Sequence, residues 1–162
     1  MSCAAGAARL LSISFMPERP PVYKQETEYS CVPACLRMVL ASLGVIKTEQ
    51  ELREMCDCTT LEGAAALRMI DAARALGFTE TRKQNLSLDD LEYELERGLF
   101  PITYVGVATS ASKLPEKHAV VVVAIEGDQV QTLDPARGEI ILSKEEFFVE
   151  WNAMRRLTVL IE

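Results

Sequence analysis

Two residue types that could do nucleophilic chemistry stand at informative places, since the chain has five cysteines and a single histidine. Cys31 opens the apolar stretch CVPACLRMVLASL behind Ser30, a residue type that often caps helices. A helix start gathers unpaired backbone N–H groups and the positive end of the helix dipole. Both stabilise a thiolate, which is the reactive form of cysteine. Position alone leaves a second interpretation open, in which Cys31 is a small core residue.

The histidine, His118, opens the run HAVVVVAIE, and Asp134 ends the later run DQVQTLD. If the two runs pair as a hairpin across Glu126-Gly127-Asp128, His118 comes within about three positions of facing Asp134. A carboxylate there would accept the imidazole N–H and stabilise the imidazolium that forms when a thiol gives up its proton. The strand register decides whether the two side chains share a face. Because an Asp-Pro step is also a common strand ending, a turn role for Asp134 stays open as well.

Two further polar side chains lie near Cys31 in the sequence. Acyl transfer needs donors for an oxyanion, and Gln25 could supply a side-chain N–H, although a glutamine before a helix says little by itself. Cys35 follows one helical turn after Cys31. The Cys-Val-Pro-Ala-Cys spacing is longer than the interval of thioredoxin-like pairs, so a packed Cys35 is favoured over a redox partner.

The elements that would position these residues separate into a helical first half and a strand-rich second half. Helices are predicted from Cys31 to Leu43, from a capping box of Thr48 and Glu51, over 61–76 and over 87–97. Runs rich in Val, Ile and Thr predict strands at PITYVGVA, HAVVVVAIE, DQVQTLD, GEIILS and RRLTVLIE, with one helix from Ser143. Helices before strands, with hairpin-length connections, predict an α+β fold with an antiparallel sheet.

Length, charge and cysteine usage limit the class of protein. The 162 residues fit one globular domain, with a proline-rich arm over 1–24 ahead of a domain over 25–162. The net charge of -7 and the lack of a Lys/Arg run argue against a nucleic-acid partner. Neither a membrane span nor a cleaved signal is expected, because the apolar runs are too short. An odd number of cysteines in a chain of this size favours reduced thiols and a cytoplasmic location.

Together, QETEYSCVPACLRMVLASLG and HAVVVVAIEGDQVQTLDPARG resemble the two motif blocks of the bacteriocin-processing peptidases. These are papain-like cysteine peptidases that stand at the front of peptide-exporting ABC transporters or occur alone. Gln25, Cys31 and Cys35 match the spacing of the first block. The resemblance implies a papain-like fold, in which a helical N-terminal half packs on an antiparallel sheet. It also implies Cys31 as nucleophile, His118 as general base and acid, Asp134 as orienting carboxylate and Gln25 as oxyanion donor, with no cofactor or metal.

The resemblance covers about residues 22–162 and departs from the family pattern at two positions. Ser30 replaces the usual aspartate before the nucleophile, and Val32 replaces the usual glycine after it. Family members cut leader peptides after a Gly-Gly or Gly-Ala pair, with an amphipathic leader helix docked on an apolar surface. The resemblance therefore implies a peptide or precursor-protein substrate. Because no transporter domain follows in this sequence, it also implies a free-standing enzyme that works with a separate exporter.

Three alternatives remain open. The family includes copies without the nucleophile that only bind leader peptides, and the intact set of predicted site residues argues against that role. A papain-like acyltransferase would use the same residues and pass the acyl group to an amine. A structural zinc site would have to use Cys31, Cys35, Cys56 and Cys58, and its ligands usually stand further apart than a Cys-Asp-Cys step allows.

Overall fold

The computed structural model of the chain describes residues 16–60 and 63–162. These residues contain five helices: α1 (Cys31–Ser42), α2 (Glu49–Met55), α3 (Ala66–Ala75), α4 (Leu88–Glu96) and α5 (Lys144–Ala153). They also contain six strands: β1 (Arg82–Asn85), β2 (Ile102–Val107), β3 (Glu116–Glu126), β4 (Gln129–Asp134), β5 (Gly138–Ser143) and β6 (Leu157–Leu160). No helix in this part of the chain is long and apolar enough to cross a membrane.

The strands form one antiparallel sheet in the order β1-β6-β2-β3-β4-β5. Three helices precede the first strand, and the predicted α+β class is confirmed. The sequence did not predict β1, whose four residues RKQN are polar and mostly exposed at the edge of the sheet. Neither burial nor alternation marks such a strand, so only its pairing with β6 defines it.

The long apolar strand β3 separates the core into two layers. Ala119 and Val121 pack into a cluster with side chains of α1, α2 and α3 on one face. Val120 and Val122 join Trp151 of α5 on the other face. Side chains alternate across a strand, and a strand that is covered on both faces is apolar at nearly every position. The run HAVVVVAIE therefore shows no alternation of polar and apolar residues.

The predicted helices agree with the structure, with one shifted start. The predicted capping box of Thr48 and Glu51 begins α2, and capping boxes also begin α4 and α5 at the predicted serine positions. Helix α3 begins at Ala66, later than the predicted start at residue 61. An antiparallel bridge between Thr59 and Gly63 uses the backbone before it. Residues 61 and 62 lie outside the described residues.

The described part of the predicted arm, residues 16–24, runs along the surface of the domain. Arg19 forms an ion pair with Glu139 of β5. The guanidinium carbon of Arg37 lies 4.1 Å from the centre of the Tyr23 ring, which is a cation–π contact. Residues 1–15, with Cys3 among them, lie outside the described residues, and the boundary at residue 24 stays a prediction.

Candidate active site

Cys31 is the first residue of α1 and lies half-buried in a cleft. Ser30 stands at the N-cap position, but its hydroxyl does not cap the helix. It donates to the Thr27 carbonyl and accepts from the Thr27 N–H, each at 3.1 Å. The preceding turn thus competes successfully for the serine that the sequence assigned to the cap. The first N–H groups of α1 stay uncapped by a side chain, and the positive end of the helix dipole lies at Cys31.

His118 and Asp134 lie together beside Cys31. His118 Nε2 and Asp134 Oδ1 are 2.9 Å apart, and the two side chains are 16% and 1% exposed. A carboxylate only accepts hydrogen bonds, so Nε2 carries the proton and Nδ1 is the basic nitrogen. The thiol of Cys31 interacts with the same imidazole and contributes to the rise of its pKa. The structure therefore brings these three predicted residues into one group.

The register of the β3–β4 hairpin changes along its length. Next to the turn, Ala124 lies opposite Gln131. Further from the turn, Val121 lies opposite Leu133, so β3 contains one residue more than β4 between these pairs. The extra residue is Val123, which forms a β-bulge.

This bulge decides on which face Asp134 lies. Beyond the bulge, the register places Asp134 opposite Val120, two residues from His118 and therefore on the same face as His118. Had the register next to the turn continued, Asp134 would face Val121, and its side chain would point to the opposite side of the sheet from His118. One inserted valine thus makes the imidazole–carboxylate contact possible.

The charges of the pair support each other. Burial lowers the pKa of His118, but hydrogen bonds with Asp134 and Cys31 outweigh it and raise the pKa to about 9. Burial raises the pKa of Asp134, while the bond with His118 and the donors of the following turn lower it to about 2. At neutral pH an imidazolium therefore lies beside Cys31.

Asp134 also has donors that the sequence did not predict. The backbone N–H groups of Ala136 and Arg137 lie 2.8 and 3.2 Å from Oδ1. The side-chain Nε of Arg137 donates to Oδ2 at 2.9 Å. An aspartate before a turn commonly accepts from the following backbone, so the Asp-Pro step carried a signal for the first two donors. Nothing in the sequence indicated the arginine side chain.

Gln25 lies beside the turn that follows β4. Its backbone N–H donates to the Pro135 carbonyl at 2.8 Å. Its side-chain Nε2 donates to the Thr27 carbonyl at 2.7 Å, the same carbonyl that accepts from Ser30. Its Oε1 is buried and has no hydrogen-bond partner among the described residues. Gln25 does not line the cleft of Cys31, so it stands next to the group and not in it.

The other described cysteines, Cys35, Cys56 and Cys58, are free thiols, as is Cys31. Cys35 is fully buried, and burial together with the neighbouring Cys31 raises the pKa of its thiol far above the ordinary value. Burial also raises the pKa of Cys56 to about 12 and raises that of Cys58. The prediction of a packed Cys35 agrees with its burial. No three His, Cys, Asp or Glu side chains of residues 16–60 and 63–162 are grouped to hold a metal ion.

The cleft around Cys31, His118 and Asp134 has a volume of about 360 Å³. One wall is closed tightly where Gly63 meets the segment before α1, since a Cβ on Gly63 would lie 3.2 Å from the Tyr29 carbonyl oxygen. Gly63 also has a φ of 63°, which side chains disfavour. A residue of any other type would therefore disturb this wall.

A thiol at a helix start, beside an imidazole and a carboxylate from adjacent strands of an antiparallel sheet, is the arrangement of the papain-like cysteine peptidases. The chain belongs to the Peptidase C39 family, whose model matches residues 19–159. The resemblance read from the two motif blocks is confirmed by this match.

Relatives of known sequence include a transporter and a short protein. LagD, the lactococcin-G-processing and transport ATP-binding protein of Lactococcus lactis subsp. lactis, is 31% identical over 133 residues, which are 82% of this chain and 18% of LagD. An uncharacterized protein of Methanothermobacter thermautotrophicus is 31% identical over 126 residues, which are 78% of this chain and 79% of that protein. The chain thus spans less than a fifth of the transporter and most of the second relative.

Solved structures show the same fold. The peptidase domain of Streptococcus ComA, a bifunctional ABC transporter involved in a quorum-sensing pathway, has a TM-score of 0.72 at 25% identity, covering 89% of this chain and 98% of that domain. A double-glycine motif protease from an AMS/PCAT transporter, solved with the leader peptide, has a TM-score of 0.71 at 23% identity, covering 88% and 91%. These likenesses confirm the predicted papain-like fold.

Proposed function

We propose that this chain is a cysteine endopeptidase that removes the leader from a precursor peptide by cutting after a Gly-Gly or Gly-Ala pair. The observation that supports it most is the group of three side chains in the cleft. The thiol of Cys31 opens a helix, the imidazole of His118 lies beside it, and the buried carboxylate of Asp134 binds that imidazole at 2.9 Å. Family membership makes an amide carbonyl the group to be attacked.

In the proposed reaction the Cys31 thiolate attacks the carbonyl carbon of the scissile peptide bond. The His118 imidazolium gives its Nδ1 proton to the leaving amine, and the acyl group stays on Cys31 as a thioester. Neutral His118 then takes a proton from water, and the resulting hydroxide attacks the carbonyl carbon of the thioester. The acid product is released when Cys31 leaves as a thiolate, and His118 is again an imidazolium, so both residues are back in their starting state. Asp134 keeps the proton on Nε2 and stabilises the imidazolium throughout.

The tetrahedral intermediate needs donors for its oxyanion, and two groups are available. The backbone N–H of Cys31 belongs to the first turn of α1, whose N–H groups have no partner within the helix. The amide of Gln25 has two hydrogens, and the Thr27 carbonyl takes one of them at 2.7 Å. That bond leaves the second hydrogen of the amide unengaged. Because Gln25 does not line the cleft, the amide has to turn toward Cys31 when the substrate binds, and with this movement we assign Gln25 the side-chain part of the oxyanion hole.

Membership of the Peptidase C39 family supports small residues at the cleavage site, since the leader-processing members of that family cut after a Gly-Gly or Gly-Ala pair. LagD carries processing and transport in its name, and we extend the substrate class of leader-bearing precursors to this chain. We propose a peptide exporter as the partner of this chain, and the cytoplasm, where thiols stay reduced, as its place of action.

The test incubates the purified protein with synthetic precursors that carry Gly-Gly leaders and follows the products by mass spectrometry. The wild type should release a leader that ends in glycine, and Cys31→Ala should leave the precursor intact. Cys58→Ser is the matched control, because it removes another half-buried thiol but keeps a donor for the Tyr29 carbonyl, 3.6 Å from the sulfur. A precursor with Leu-Leu in place of Gly-Gly should resist cleavage.

Two outcomes would contradict this function. If the precursors stayed intact while Cys31 of the same sample still reacted with iodoacetamide, leader cleavage would have to be abandoned. If an added amine became joined to the leader, the product mass would assign acyl transfer in place of hydrolysis.

A further inference from the structure

Arg137 contacts the buried carboxylate of the site directly, although the proposed reaction gives it no role. We propose that Arg137 is a positioning residue, which holds Asp134 in the orientation that presents Oδ1 to His118 and so keeps Cys31 reactive. The proposal rests on the roles assigned above to these three residues. It adds a fourth side chain, which acts through Asp134 and not on the substrate.

The two oxygens of Asp134 are bound unequally. Oδ1 meets His118 Nε2 at 2.9 Å and the backbone N–H groups of Ala136 and Arg137 at 2.8 and 3.2 Å. Oδ2 receives one donor from the described residues, which is Arg137 Nε at 2.9 Å. Since the carboxylate is 1% exposed, an Oδ2 without that donor would be buried and unsatisfied. Rotation of the carboxylate would relieve this state at the expense of its contact with His118.

The surroundings of Arg137 do not fit a purely structural ion pair. The side chain of Arg137 is 52% exposed, so solvent screens its charge, and the hydrogen bond that it donates to the buried Oδ2 matters more than that charge. Arg137 nevertheless lines the cleft together with Cys31 and His118. Its backbone N–H lies 3.2 Å from the Asp134 carbonyl, which closes a tight turn. Arg137 and Asp134 are three residues apart in the sequence. Their ion pair can therefore set the orientation of one carboxylate, but it does not connect two separate elements of the fold.

Removal of Arg137 has two effects on His118, and they have opposite signs. Loss of the positive charge alone makes the surroundings more negative and raises the pKa of His118. Loss of the donor to Oδ2 frees Asp134 to turn away and lowers the pKa of His118. Burial raises the pKa of Glu150 of α5 and Arg137 lowers it, so removal of Arg137 leaves Glu150 with a higher pKa. The other ionisable groups near the pair are present in every variant; they are Glu28 before α1, Cys31 and Cys35 of α1, Tyr104 of β2, and Glu116 and Lys117 of β3.

Three substitutions separate the donor from the charge. In Arg137→Gln, the amide nitrogen occupies the place of arginine Nε along the side chain, so the donor is kept and the charge is lost. Arg137→Met puts a methyl group at that place and loses both. Arg137→Lys keeps the charge but moves the nitrogen one bond further from the backbone.

The experiment measures two quantities on each variant. An NMR titration of the single histidine gives the pKa of His118, and peptide mass spectrometry gives the rate of Cys31 alkylation by iodoacetamide at pH 7. We expect Arg137→Met to lower the His118 pKa from about 9. A fall of one pKa unit corresponds to a factor of ten, and we expect the alkylation of Cys31 to slow by about that factor. Arg137→Gln should keep both values near or above those of the wild type. Arg19→Met is the matched control, since Arg19 is 50% exposed and pairs with a carboxylate of β5.

Several results would overturn the proposal. One is a folded Arg137→Met protein whose titration and alkylation equal those of the wild type, and another is a rise of the His118 pKa in that variant. Recovery by Arg137→Lys but not by Arg137→Gln would assign the effect to charge and would also overturn it. If Arg137→Met does not fold, the comparison of the other two variants still decides. Neither measurement needs a substrate, so failure to cleave Gly-Gly precursors would count against the proposed function alone.

Discussion

Replacement of Asp134 with asparagine removes the negative charge from His118 while keeping the size of the side chain and one acceptor oxygen. In the structure, the pKa of His118 is raised from 6.5 to about 9 in spite of burial. This rise of about 2.5 corresponds to about 3 kcal/mol, at about 1.4 kcal/mol for each pKa unit. The imidazole is only 16% exposed, so solvent screens it little. Among the interactions that raise the pKa of His118, the one with Asp134 is the largest and the one with Cys31 is the next. We therefore expect Asp134→Asn to lose about 2 kcal/mol of this amount.

The direction of the pH effect follows from the direction of the shift. A group whose pKa is higher in the folded than in the unfolded chain stabilises the fold below its unfolded value, here near 6.5. That contribution is lost as the pH rises through about 9. Between pH 6 and pH 10, the free energy of unfolding of the wild type should therefore fall by about 2 kcal/mol more than that of Asp134→Asn. Because Cys31 interacts with His118, both proteins carry Cys31→Ala in this comparison, and the other groups that titrate in this range are then common to both and cancel in the difference.

The assay is urea unfolding at the two pH values, with an NMR titration that reads the His118 pKa directly because the chain has one histidine. Asp128→Asn is the matched control, since Asp128 is an exposed aspartate in the turn of the same hairpin. A wild-type His118 that titrated near its ordinary value would refute the reasoning. Equal titrations of the wild type and Asp134→Asn would refute it as well.

Three other substitutions test separate parts of the account. Gln25→Ala should reduce the kcat of leader cleavage about 10²–10³-fold, as the loss of an oxyanion donor does, without changing Cys31 alkylation; equal losses in both would contradict the oxyanion role. Cys35→Ala should lower the free energy of unfolding by about 1 kcal/mol and leave Cys31 alkylation unchanged; a large loss of alkylation would mean that Cys35 takes part in the chemistry. Gly106→Ala should cost about 1–3 kcal/mol in urea unfolding, because the new Cβ would lie 2.8 Å from the Cβ of Pro115; a protein as stable as the wild type would contradict that close packing.

Local patterns predicted most of the fold. Helix α1 was readable because apolar residues recur at helical spacing after Cys31, and the hairpin because two strand-like runs flank a short turn. The capping box of α2 was readable for the same reason, since Thr48 and Glu51 are three residues apart. Strand β1 was not, because four polar residues at a sheet edge carry neither burial nor periodicity.

The site was predictable in its members but not in its geometry. Nothing in a run of four valines indicates which one forms the bulge, yet Val123 in that position puts Asp134 on the face of His118. At Ser30 the sequence predicted a contact that the structure does not have. Serine commonly caps helices, but the Ser30 hydroxyl forms its hydrogen bonds with the backbone of Thr27 in the preceding turn. Arg137 was missed because its role depends on where the carboxylate oxygens point, which only the folded turn determines.

The central claim is that Cys31 is a nucleophile kept reactive by His118, and the rate of alkylation of each cysteine tests it most directly. At pH 7, iodoacetamide should modify Cys31 faster than it modifies free glutathione and far faster than it modifies Cys35, Cys56 or Cys58, whose thiols have raised pKa values. His118→Ala should remove the advantage of Cys31. A Cys31 that reacts no faster than glutathione, and at the same rate in His118→Ala, would contradict the account.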